Sequence, residues 1–119
     1  MIAVIFEVWP AQGRKDDYLG IAAALRTDLD RVDGFISVER FQSLSDLQKL
    51  LSLSFWRDEE AVKNWRTHSK HRESQTKGRA GIFADYRLRV AAVARDYGLT
   101  ARAEVPADSR SLHDERQSR

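Results

Sequence analysis

The 119-residue chain contains no cysteine, which removes a disulfide framework, a thiolate nucleophile and every Cys-ligated metal site at once. It also lacks any apolar run approaching the ~20 residues that a membrane-spanning helix needs. The opening MIAVIFEVWP is apolar, but it has no basic start and no small-residue cleavage site. It therefore reads as a strand rather than a secretion signal, and nothing points away from the cytosol. Charge of one sign is missing as well. Twenty Lys and Arg face 18 Asp and Glu, for a net charge of +2, and the signs interleave along the chain. Nucleic-acid binding needs a segregated basic stripe, and none is present. Nor is there a glycine-rich phosphate loop, a GxSxG elbow or an HExxH pair.

What remains is 42% apolar and 32% charged residues, the balance of one soluble globular domain. Residues 2–9 are apolar on both parities, as in a strand covered on both faces. Pro10 to Gly13 break it. From Lys15 to Val32, Leu19, Ala22, Leu25, Leu29 and Val32 form the stripe of an amphipathic helix, stopped by Asp33-Gly34. A second strand is expected over Phe35–Phe41 and a third over Leu47–Arg57, separated by a polar loop. Asp58 is a good N-cap for a second helix reaching roughly Thr76. A fourth strand spans Ile82 to about Arg95. The segment 99–119 has no aromatic residue and few large apolar ones, so residues 1–98 read as the domain and 99–119 as a mobile tail.

The order β-α-β-β-α-β predicts a ferredoxin-like α+β fold with a four-stranded antiparallel sheet. Its helices cover one face. Leu50, Trp56, Ile36 and Val38 are then expected on the other face, where they need a cover, and isologous pairing of two sheets into a homodimer supplies it.

On the second helix Ala61, Val62 and Trp65 make the core stripe. Beside it Asn64, His68, His71 and Gln75 fall at spacings of four, three and four, which normally carry apolar residues facing a core. Two readings stay open. The arc is the wet face of the helix, or it borders a cavity in which amides and imidazoles bind a small ligand. His68-x-x-His71 also suggests a metal, but a site needs three protein ligands. Glu7, Glu39 or Asp85 could supply a carboxylate, and no spacing singles one out. His113 lies in the tail. Trp9 and Trp56 read as core or interface residues, and Arg79 as a helix cap or an anion ligand.

The pieces SFWRDEEAVKNWR, the HR and GR that follow, and DYRLRVAAVARDYG together resemble the antibiotic biosynthesis monooxygenase (ABM) family over about residues 1–98. The resemblance implies a dimeric α+β barrel with a cavity between sheet and helices in each subunit. It implies oxygenase activity of the kind that turns anthrones into quinones with O2 and without flavin, haem or metal. Such members use an Asn and a Trp on or near this helix, and the resemblance matches them to Asn64 and Trp65. Related proteins cleave haem through a histidine late in the same helix. Gln75 is nearest to that position and His71 lies a turn too early, which counts against haem.

The expectation is a cofactor-independent monooxygenase acting on an aromatic or quinol-like substrate with O2. His71 is the candidate base, Asn64 the oxyanion partner and Trp65 the wall, with His68, Gln75, Phe55 and Phe83 binding substrate. A non-catalytic dimeric ligand-binding or stress-response module is the alternative, and haem binding or degradation the third.

Overall fold

A computed structural model describes residues 1–68, 72 and 81–110. Strand β1 (Ile2–Pro10) leads into helix α1 (Lys15–Asp30), followed by β2 (Phe35–Gln42), β3 (Leu50–Trp56), α2 (Glu59–Arg66) and β4 (Phe83–Ala92). The strands form one sheet in the order β2-β3-β1-β4, with every neighbouring pair antiparallel. This is the ferredoxin-like α+β arrangement expected from the element order.

Cross-strand partners share a face of a sheet, so the register fixes which residues look at the helices. Val38, Ser54, Val4 and Val90 make one rung, and Arg40, Ser52, Phe6 and Leu88 the next. Two clusters pack helices onto this face. One joins Val8, Tyr18, Leu50 and Ile82, and the other Leu29, Trp56, Ala61 and Trp65, with Val38 packed against it. Leu50, Trp56 and Val38 therefore lie under the helices, opposite to the expected side. Ile36 is the exception, because the β2–β3 register skips it at a bulge and leaves it exposed. Leu51, Leu53 and Phe55 take the outer face with Ile5 and Glu7. Both parities of β3 are apolar, so alternation could not choose between them.

Several ends also differ from expectation. The stripe of α1 buries Tyr18, Ala22 and Leu29, while Leu19 is exposed, and the helix stops at Asp30 rather than Val32. Gly34 then turns the chain at φ 88°, where a Cβ would meet that of Ala61 at 2.7 Å, so only glycine fits. Arg57 grips the same corner. Its guanidinium spans both Asp33 oxygens at 3.1 and 3.2 Å and reaches Asp58 at 3.1 Å. Strand β3 starts at Leu50 rather than Leu47, because the Gln42 amide donates to the carbonyls of Leu47 and Lys49, each at 3.0 Å. Those bonds hold the preceding residues in a loop.

Helix α2 begins as the sequence implies, with the Asp58 carboxylate accepting from the Ala61 N–H at 2.9 Å. It ends at Arg66, and of the expected continuation to Thr76 only Thr67, His68 and Arg72 lie within the described residues. The Thr67 hydroxyl donates back to the Lys63 and Asn64 carbonyls at 3.0 and 3.2 Å, a local bond that competes with helix propagation. Beyond β4, whose strand pairing stops at Ala92 rather than near Arg95, the Val93 N–H donates to the Met1 carbonyl. Further on Val105 is buried, and Arg102 and Arg110 donate to nearby carbonyls of the same segment.

Candidate functional site

A cavity of about 260 Å³ lies between the sheet and the helices. Its floor is the two inner rungs, with Val4 and Phe6 in the centre and Ser52, Ser54 and Trp56 beside them. Helix α1 supplies the roof through Tyr18, Ala22, Leu25 and Leu29, and α2 closes one side with Val62, Trp65 and Arg66. On β4, Tyr86, Leu88 and Val90 form a wall that is about half exposed, at 49%, 51% and 45%. Phe83 joins this wall because a bulge at Trp9/Pro10 skips Ala84, so that Phe83 meets Phe6, Tyr18 and Tyr86 ring to ring at 5.8–6.0 Å.

Polar groups in this apolar space are few. The buried Ser54 hydroxyl accepts from the Trp56 indole N–H at 2.9 Å. Ser52 and the Tyr18 phenol also line the cavity, and among the described residues neither side chain has a hydrogen-bond partner. The charged lining residues are Arg40 and Arg66, both exposed, and no acidic side chain joins them among the described residues.

The expected site residues divide. Trp65 and Phe83 line the cavity. Phe55 does not, since its neighbours Ser54 and Trp56 take the inner face and alternation sends it outward. Asn64 is exposed and outside the lining. At about 100° per residue it lies roughly 150° around α2 from the middle of the Val62, Trp65 and Arg66 side that meets the cavity. His68 falls past the helix end. It does not line the cavity, although its ring stacks on Trp65 at 5.5 Å. Of the four residues of that arc, Asn64 lies on α2 and His68 follows its end at Arg66. His71 and Gln75 lie outside the described residues. Among the described residues no group of three His, Asp or Glu is placed to hold a metal, and no helix is long and apolar enough to cross a membrane.

The sequence reading missed Tyr18, Arg40, Ser52, Ser54 and Arg66. Tyr18 was findable, since 18, 22, 25 and 29 carry the helical period as well as the series begun at Leu19. The arginines look like any solvated charge until the register is known.

The family model described as antibiotic biosynthesis monooxygenase matches residues 1–77, more than half of the chain. The chain belongs to this family. Over 93 residues, 78% of its length, it is 50% identical to "Jasmonate monooxygenase ABM" of Pyricularia oryzae. Over 62 residues, 52% of its length, it is 32% identical to the Bacillus subtilis protein YqjZ. The matches span 43% and 53% of those two relatives, so the chain corresponds to about half of either. Among solved structures, Rv0793 of Mycobacterium tuberculosis superposes with a TM-score of 0.73 at 16% identity, covering 82% of this chain and 98% of that one. A Deinococcus radiodurans protein carrying the same family name reaches 0.74 at 9% identity, with 82% and 97% covered. At such identities the ABM-like fold is what the superpositions share.

Proposed function

We propose that this ABM domain is a monooxygenase that holds a small, largely apolar substrate in the inter-layer cavity while O2 attacks it. The observation that carries the reading is an apolar cavity roofed by α1 and α2 in a chain 50% identical to a relative named as a monooxygenase. The substrate class proposed is aromatic or quinol-like, and jasmonate, named for the Pyricularia relative, belongs in the first panel tested.

The chemistry needs no resident cofactor if the substrate itself supplies the electrons. A base removes a proton from an activated CH2, and the resulting carbanion or enolate passes an electron to O2. The radicals recombine, and the peroxide formed loses water to leave a carbonyl. One oxygen atom enters the substrate and the other departs as water. Trp65 and Phe83 supply aromatic walls, and the Tyr18 phenol replaces Asn64 as the donor toward the developing oxyanion. His71 stays the proposed base on the strength of the sequence alone.

Two further proposals accompany this one. The outer face of the sheet, with Ile5, Leu51, Leu53 and Phe55, pairs with a second copy to make the homodimer. Residues 1–98 form the folding unit, and removing 99–119 shifts its melting temperature little.

An oxygen electrode tests the activity. Dihydroquinones, anthrones and jasmonate should be screened for O2 uptake that His71→Ala abolishes. Ligand binding without uptake would favour the non-catalytic module, and a sharp Soret band on haem titration would favour the haem reading.

A further inference from the structure

We infer that the substrate carries a carboxylate, and that Arg40 and Arg66 bind it at the rim of the cavity. This rests on the cavity being the substrate site.

Two arginines on different elements line one otherwise apolar space. Arg40 belongs to the rung of Ser52 and Phe6 on the sheet. Arg66 closes the last turn of α2, one turn beyond Val62. Val38, the inner-face residue preceding Arg40, and Val62, one turn before Arg66, both pack against the cluster that holds Trp65, so both guanidinium-bearing positions adjoin it. Several exposed arginines have acidic partners, among them Arg57 with Asp33 and Asp58, Arg26 with Asp30, and Arg89 with Glu7; Arg40 and Arg66 are the arginines that line the cavity. Neither Arg40 nor Arg66 has an ion-pair or hydrogen-bond partner among the described residues, and no described lining residue is acidic.

An apolar slot whose lining holds two unpaired cations suits an amphiphile with an apolar body and an anionic head. The guanidinium fork matches a carboxylate in two parallel hydrogen bonds. The half-buried Ser52 hydroxyl, cross-strand from Arg40, supplies a third donor to the same head. The negative end of the α2 dipole favours the Arg66 cation while the site is empty, so the charge is in place before substrate arrives.

Calorimetric titration with 4-phenylbutyrate and its uncharged amide, 4-phenylbutyramide, tests this on the full chain. The acid should bind at least about tenfold more tightly than the amide. Arg40→Gln and Arg66→Gln should each weaken the acid about tenfold while leaving the amide within about twofold. In the wild-type chain added NaCl should weaken the acid alone, a readout that needs no variant to fold. Equal affinities for acid and amide, salt-independent acid binding, or variants that lose both probes equally would overturn the carboxylate assignment and leave the apolar cavity standing. Binding of neither probe would overturn both.

Discussion

The indole N–H of Trp56 donates to the hydroxyl of Ser54 at 2.9 Å, two residues back on the same strand and on the same side of the sheet. Both residues are buried on the cavity floor. Ser54→Ala would leave the indole N–H without that acceptor, which costs about 1–3 kcal/mol for a buried donor. Chemical denaturation should show this loss with an unchanged m-value. A Ser54→Ala protein as stable as wild type would mean that water or a ligand replaces the hydroxyl.

The N-cap of α2 predicts a pH dependence. The backbone N–H of Ala61 first, and Arg57 second, hold the Asp58 carboxyl below the usual aspartate range. A depressed folded-state value means that the cap contributes fully above the unfolded-state pKa of about 3.9 and loses its contribution as pH falls through the folded value. The stability difference between wild type and Asp58→Asn should therefore be constant near neutrality and shrink below about pH 4. Denaturation curves at several pH values check this, and a gap that widens in acid would contradict it.

Tyr18 gives a catalytic prediction. If its phenol steadies the oxyanion, Tyr18→Phe should lower kcat by about 10² with KM and melting temperature little changed. Steady-state O2 uptake measures it. A change confined to KM would make Tyr18 a wall of the cavity and no more.

The proposed dimer is tested on the outer face. Leu53→Asp places a charge among Ile5, Leu51 and Phe55 without touching the inner rungs. Light scattering should report a dimer for wild type and a monomer of 13.7 kDa for the variant. A monomeric wild type would end the proposal.

The four strands, the two helices and their order along the chain were legible because period-two and period-3.6 patterns are local. Three features were not. Leu50 and Trp56 compete with Leu51, Leu53 and Phe55 for the core, and only packing against α1 and α2 decides which set wins. The end of α2 at Arg66, beside a Thr67 hydroxyl that donates back to two carbonyls, is not written in the hydrophobic period. His68 follows that end, and the arc's other two members, His71 and Gln75, lie outside the described residues. Arg40 and Arg66 needed the strand register and the helix end to become neighbours of the same space.

The three indoles fall in two places. Trp56 and Trp65 line the cavity, whereas Trp9 donates to Asp46 at 2.9 Å under the ammonium of Lys49, on the far side of the sheet. Ultraviolet emission from this protein is thus a mixture of two signals, one blind to the cavity. Once Trp9 is replaced by phenylalanine, the remaining indole emission comes from the cavity alone, and the molecule becomes its own optical sensor of what enters.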